Sequence, residues 1–212
     1  MCTGRIDMSF VLRAFSNGAD GVYIGGCWPG QCHYITEGNF HTISMVHICK
    51  KLLAHIGVNP DRLRLEWTSS GEGIRFAEII NDFTKKLTEL GPIGIDEERD
   101  GNGLKSKLEA ANSLVPYIRL VERERLRVHF DTVEEYQKFF NSPKVDRLFN
   151  ELIVDKLAIS QILALLRERP LSTREIAEIL DLSPSEVSRH LISSAKEGLI
   201  RFDERRKQFA PA

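Results

Sequence analysis

Cysteines four to five residues apart on a glycine- and proline-rich turn are candidates for metal or redox chemistry. The stretch GGCWPGQCHY (25–34) carries Cys27 and Cys32 on such a turn, with His33 immediately after. Pro29-Gly30 folds the chain back, so both sulfurs can face one centre. Cys2 heads the chain, just before a helix that leads toward the same turn. On the residues alone several chemistries stand open. The thiols are inert loop groups, or zinc takes Cys2, Cys27, Cys32 and His33. Alternatively Cys27 and Cys32 form a disulfide, or thiolates hold an iron–sulfur cluster. Cys49 falls within a helical apolar stripe and reads as a core thiol. No P-loop, GxGxxG or nucleophile–base pair is visible, so hydrolysis and group transfer find no support.

The elements around the turn define where these thiols would sit. Asp7 is placed to cap a helix carrying Phe10, Val11, Ala14 and Phe15, stopped by Asn17-Gly18. GVYIGG (21–26) reads as a buried strand, and LRLEW (63–67) as a second one. Between them, Ile43, Val46, Leu53 and Ile56 stripe a helix over 42–56. A third helix from about 70 to 90 carries Phe76, Ile80, Phe83, Leu87 and Leu90 and ends at Gly91-Pro92. This alternation predicts an α/β fold, a parallel sheet with flanking helices. Cys27 then lies just past a strand's carboxyl end, where ligands of open α/β sheets gather, and Gly25 and Gly26 allow close approach. The pattern begins in mid-unit, so the first strand, beside 22–25, is expected to be missing, leaving an exposed edge.

Three domains are expected. Residues 1–91 form the α/β domain, and residues 92–154 are a polar linker followed by a charged helical connector. Residues 155–212 form a winged helix-turn-helix. In the last, Ile159, Ile162, Leu163 and Leu166 stripe one helix. Ser172 with Glu175, and Ser183 with Glu186, are capping boxes for two more, and Val187, Leu191 and Ile192 are expected to face inward. LIRFDERRKQFA (199–210) reads as the hairpin wing. Ser185, Ser188 and Arg189 would face bases, and Arg205, Arg206 and Lys207 phosphates. This segment holds ten basic and nine acidic side chains. A net of +1 is thin for DNA, so protein docking is the favoured role.

The whole chain of 212 residues is 42% hydrophobic with 29 basic and 30 acidic groups, net −1. That composition suits a folded, cored protein with no strongly charged partner. No apolar run is long enough to span a membrane, and no signal peptide is evident. Four cysteines are too few for a disulfide scaffold, so a reducing, cytoplasmic setting is the simplest reading.

Three segments in order, MCTGRID, GADGVYIGGCWPGQCHY and RLRLEW, resemble the iron–sulfur delta subunit of methyl-viologen-reducing hydrogenase. The resemblance runs from Met1 to about Gly91. It implies a small electron carrier with a 2Fe–2S cluster, Cys2, Cys27 and Cys32 matching the family's cysteines. It implies partners too: the flavin-containing subunit of a heterodisulfide-reductase-like complex in anaerobic metabolism, together with a hydrogenase or formate dehydrogenase subunit. The family carries an earlier cysteine-rich segment, so the full ligand set is expected to need residues upstream of Met1. Zinc remains the alternative metal. The rival function is a redox- or metal-sensing transcriptional regulator that binds DNA through its winged helix.

Overall fold

The computed structural model describes residues 2–35, 37–94 and 101–212. Residues 95–100, the middle of the expected linker, lie outside the described residues. Two compact units result, Met1–Arg147 and Leu148–Ala212.

The first unit opens with a single 3-10 turn, Thr3–Arg5, and then α1, Met8–Ser16. Asp7 caps α1 as its residue type suggests, its carboxylate accepting from the Ser9 amide at 2.9 Å. The helix buries Met8, Val11, Leu12 and Phe15. Phe10, expected in that stripe, points outward instead and is 57% exposed. Strand β1, Val22–Gly26, pairs parallel with β2, Leu63–Trp67, in a register running from Val22 opposite Leu63 to Gly26 opposite Trp67. The crossover between them is α2, Asn39–His55, which starts three residues earlier than its apolar stripe suggested. It buries Phe40, Ile43, Met45, Val46, Ile48, Cys49, Leu52 and Leu53. Such wide burial marks a central helix rather than an amphipathic surface one.

Helix α3, Gly73–Leu90, buries Ile79 and Phe83, while Phe76 stays 47% exposed and meets the edge of the Tyr23 ring. The C-terminal end of α3 is tied down by Arg62, which is 1% exposed. Its guanidinium donates to the carbonyls of Asp20 at 3.0 Å, Gly91 at 2.9 Å and Leu90 at 3.2 Å. A cation at a helix C-terminus also meets the negative end of the helix dipole.

The segment after residue 100, expected as a solvated connector, is packed onto this unit. Helix α4, Gly101–Val121, lies along α1 and buries Leu108, Ala111, Val115 and Ile118. A π-helical turn, Glu122–Leu126, follows, and within the mixed-charge stretch Val121, Glu122 and Leu126 are buried. Alternating apolar and charged residues let one side pack while the other stays wet, which the charge count alone conceals. Helix α5, Val133–Phe140, then lies on α2, stacking Tyr136 on Phe40 at 5.5 Å and Phe140 on His47 at 5.2 Å. Helix α6 covers Pro143–Phe149.

The second unit holds a π-helical turn, Asn150–Val154, then α7 (Asp155–Glu168), α8 (Thr173–Leu180) and α9 (Pro184–Lys196). The antiparallel pair β3 (Ile200–Asp203) and β4 (Gln208–Pro211) completes it. Both expected capping boxes are formed, at Ser172 with Glu175 and at Ser183 with Glu186. The turn between α8 and α9 uses Asp181 in the left-handed region, φ 53°. The core gathers Ile162, Leu166, Leu171, Ile176, Val187, Leu191 and Ile200. Leu171 exchanges backbone hydrogen bonds with Phe209, adding a bridge to the hairpin. This is a winged helix-turn-helix. Ile192 was expected inside but is 56% exposed. Val187 and Leu191 already fill the inward face of α9, and Ile192 stands one residue, about 100°, around from Leu191.

Candidate functional site

Cys2 caps the first 3-10 turn, its sulfur accepting from the Gly4 amide at 3.4 Å. Cys27 follows the carboxyl end of β1, and Cys32 is buried in the loop that leads to α2. Although 30 residues apart, the Cys2 and Cys32 sulfurs lie 3.5 Å from each other. Thiolates sharing one tetrahedral metal at about 2.3 Å sit about 3.8 Å apart, so this is a ligand-like spacing. Cys27 lies near enough for Cys32 and Cys2 to raise its pKa. Two of the three thiols named by the sequence, Cys2 and Cys32, are thus in contact, and Cys27 stands near them.

Their protonation differs. Burial works against a charge on Cys32, but backbone hydrogen bonds from Tyr34 and Asn39 and the Cys2 and Cys27 thiols outweigh it and hold its pKa below the ordinary thiol value. For Cys27, burial pushes the pKa up, and so do the neighbouring Cys32 and Cys2 thiols. Of Cys27 and Cys32, Cys32 therefore gives up its proton the more readily, and its thiolate is the readier ligand. Cys49 is fully buried and its thiol is pushed up to about 12 by that burial, which makes it a core group. His33 is exposed and stands edge-on to the Tyr34 ring at 5.2 Å.

Three further residues shape the site and went unremarked in the sequence. A Cβ on Gly38 would fall 2.1 Å from the Cys32 sulfur and 3.3 Å from that of Cys2. A Cβ on Gly4 would fall 2.5 Å from the Gly38 carbonyl oxygen. These two glycines, rather than Gly25 and Gly26, allow the close approach at the sulfurs. For Gly25 a Cβ would instead meet the Tyr23 ring at 2.9 Å, and for Gly26 it would meet Thr3 and Trp67 at 3.0 Å. Asn39, 0% exposed, donates to the Cys27 carbonyl at 2.7 Å, and the same nitrogen lies 4.0 Å from the Cys27 sulfur. A glycine and an asparagine immediately before an apolar helix were the available signal.

Among the described residues, no group of three or more His, Cys, Asp or Glu is disposed to hold one metal ion. The donor set of three sulfurs, the close Cys2–Cys32 pair and the side-chain-free wall at Gly38 fit an iron–sulfur group. The turn itself is partly anchored. Trp28 donates to Glu72 at 2.8 Å and lies under the Arg75 guanidinium at 4.8 Å. Tyr34 and Ile35 are 59% and 68% exposed.

In the second unit, the side chains expected to meet DNA are only partly available. Arg189 donates to Asp155 at 3.1 Å, and Ser185 hydrogen-bonds Ser183 at 3.0 Å. Glu186, hydrogen-bonded by Ser183, stays well below the ordinary carboxyl pKa and adds negative charge to the start of α9. On the wing, the Arg205 and Arg206 amides bind the Asp203 carboxylate, while Arg205, Arg206 and Lys207 are exposed. No helix among the described residues is long and apolar enough to cross a membrane.

Residues 160–201 match the model of the bacterial regulatory protein, arsR family. Residues 1–91 match that of the methyl-viologen-reducing hydrogenase, delta subunit. The iron-sulfur subunit of the F420-non-reducing hydrogenase of Archaeoglobus profundus is 45% identical over 91 residues, which are 43% of this chain and 66% of that protein. The corresponding vhu iron-sulfur subunit of Methanopyrus kandleri is 34% identical over 92 residues, 43% of this chain and 69% of that protein. One subunit of the ferredoxin/F(420)H(2)-dependent CoB-CoM heterodisulfide reductase of Methanosarcina acetivorans is 45% identical over 100 residues, 47% of this chain but 12% of that protein. The chain thus spans about two thirds of the hydrogenase subunits and a small part of the reductase protein. With its converging thiols on a parallel βαβ frame and this extent of identity, the chain belongs to the methyl-viologen-reducing hydrogenase delta subunit family.

Proposed function

We propose that this protein is an electron-transfer iron–sulfur subunit. It would pass electrons between a hydrogenase or dehydrogenase module and a flavin-containing, heterodisulfide-reductase-like module of an anaerobic oxidoreductase complex. The observation that carries this reading is the contact of Cys2 and Cys32, 30 residues apart in the chain but 3.5 Å apart at sulfur, with Cys27 nearby. These three would hold a 2Fe–2S cluster, a four-thiolate group, with a fourth ligand from outside the described residues. When bound, such a group accepts and donates single electrons.

The protein's own part is to position and tune. Cys32 supplies a thiolate at low cost, Asn39 fixes the Cys27 backbone, and Gly4 and Gly38 keep side chains out of the space. Exposed Tyr34 and Ile35 place the loop at a surface, where a neighbouring cofactor can come within electron-transfer reach. Aromatic and apolar side chains of this kind are favoured anchors in interface cores. We assign residues 1–91 to the cluster domain, 92–154 to the connector and 155–212 to a winged helix that docks on protein. The setting is cytoplasmic.

Anaerobic purification with iron and sulfide assay, and EPR after reduction, tests this reading. Iron and sulfide with a reducible signal, lost in Cys32→Ser, are expected; stoichiometric zinc without iron overturns it. A second reading, a redox-sensing regulator, is favoured by the arsR-family match at 160–201. Pull-down from native extract and a gel shift with promoter DNA separate the two. Flavin and iron–sulfur subunits in the pull-down support the carrier. A specific, salt-sensitive shift without them supports the regulator.

A further inference from the structure

Behind Cys2, within the first unit, lies a cavity of about 990 Å³. It is bounded by the segment from Cys2 to Met8, the start of α2, the end of α4, and the π-helical turn with the residues after it. Much of it is built from residues 115–136, which neither family match covers. Its size falls in the range of ligand pockets, about 300–1,000 Å³. A second hollow, about 440 Å³ and lined by Arg64, Asp82 and Lys86, is occupied by its own ion pairs.

The large cavity has three kinds of wall. Met8, Phe40, Met45, Val115 and Tyr136 are apolar or aromatic. Glu122, 9% exposed, lines it with an oxygen, Oε1, that is buried without a hydrogen-bond partner. That oxygen lies 3.8 Å from His41 Nδ1. Burial, and the Asp7 charge, push the Glu122 carboxyl up to about 7. Burial, with the Arg127 charge, lowers His41. Near neutral pH His41 is therefore mostly neutral and Glu122 only partly ionised, so both can take part in hydrogen bonds. Glu122 belongs to a π-helical turn, a rare element found often at functional sites. The third wall is basic: Arg5, Arg119, Arg123 and Arg127 outnumber the carboxyls of Asp7, Glu37 and Glu122. Arg119 pairs with Asp7 at 2.6 Å and Arg127 with Glu37 at 2.9 Å. Both arginines are more than half exposed, so these pairs contribute little and an arriving anion can replace them.

We propose that this cavity binds a phosphorylated aromatic ligand of mononucleotide size. The ring would lie among Met8, Phe40, Met45 and Tyr136, a ring N–H would meet the unpartnered Glu122 oxygen, and the phosphate would face Arg119 and Arg127. Flavin and purine mononucleotides share this chemistry, and the test separates them. The proposal stands independently of the cluster reading, since it rests on Glu122 and the arginines and not on the thiols.

The experiment is equilibrium dialysis and calorimetric titration of the full chain with FMN and with AMP, inorganic phosphate serving as competitor. We expect one of the two to bind one-to-one in the micromolar range. Glu122→Leu and Arg119→Ala should each weaken binding about tenfold, at an unfolding midpoint that shows both variants folded. Arg189→Ala, in the other unit, should leave it unchanged. FMN binding would identify a redox-active ligand, and AMP binding an effector; either supports the proposal. No binding below millimolar concentration by either, or equal binding by wild type and both variants, overturns it. Iron content of Glu122→Leu, measured in parallel, should equal wild type, so a failure here is distinguishable from a failure of the cluster reading.

Discussion

In the second unit, the capping and turn polar groups find their partners nearby in sequence. Ser172 meets Glu175, Ser183 meets Glu186, and Asp203 collects the amides of Arg205 and Arg206. In the first unit the decisive bonds cross the chain. Arg62 reaches Asp20, Leu90 and Gly91, Asn39 reaches Cys27, and Cys2 meets Cys32. A locally satisfied module loses one bond when one residue changes. A long-range framework loses the relative placement of several segments at once. The sulfur site belongs to the second kind, so its geometry depends on residues that never touch sulfur.

Arg62→Ala should break the contrast most severely. It removes a buried guanidinium and its bonds to three partly buried carbonyls that join the segment before β1 to the end of α3. Leaving such groups unpaired should cost about 3–5 kcal/mol. Calorimetry of the full chain should show this loss in the transition of the first unit, with that of the second unmoved. A common shift of both would contradict the division.

Glu122 gives the next effect, and it depends on pH. Its folded value of about 7 lies above the ordinary 4.5, so the folded chain keeps a proton that the unfolded chain releases. Its contribution is full below pH 4.5 and is lost as pH rises through 7, roughly 3 kcal/mol in all. Glu122→Gln stays neutral, so the stability difference, variant minus wild type, should grow from pH 4.5 to 7.5. His47, His55 and His190 titrate with the opposite sign in both proteins and cancel in this difference; His41, 3.8 Å from Glu122, is replaced by Gln in both proteins so that it does not contribute. A pH-independent difference would show that Glu122 is not held protonated.

Gly38→Ala comes third. The added Cβ overlaps the Cys32 sulfur and the Tyr34 carbonyl, and such overpacking costs about 1–3 kcal/mol. Iron content should fall well out of proportion to this modest loss. An iron content equal to wild type would remove the glycine wall from the site. The smallest effect is Ser183→Ala, the loss of one local cap on α9 at about 1 kcal/mol. It should appear only in the second transition.

What the sequence made legible follows the same divide. The caps at Asp7, Ser172 and Ser183, the turn at Asn17-Gly18 and the paired strands are signals carried within a few residues. The three thiols were found because few other residue types perform their chemistry. Stripes told where helices were but not their rotation, and so Phe10, Phe76 and Ile192 were assigned to faces they do not occupy. Each sits beside a true core residue within one helical turn, which periodicity alone cannot separate. Arg62 and Asn39 were invisible because their partners are 28 to 42 and 12 residues away. The packing of α4 and α5 was hidden by the charges on their outer faces.

The contact between Gly4 and Gly38 carries one more consequence. Main chain meets main chain there, with no side chain between, directly beside the Cys2–Cys32 pair. The gap between those sulfurs is therefore gauged by peptide units, whose bond lengths and angles do not change when sequence does. A mutation that enlarges or shrinks the helices beneath can move the pair as one piece without opening it. Side-chain size in the surrounding core is thus buffered at this one contact, while the placement of the two segments still depends on the long-range bonds that hold them.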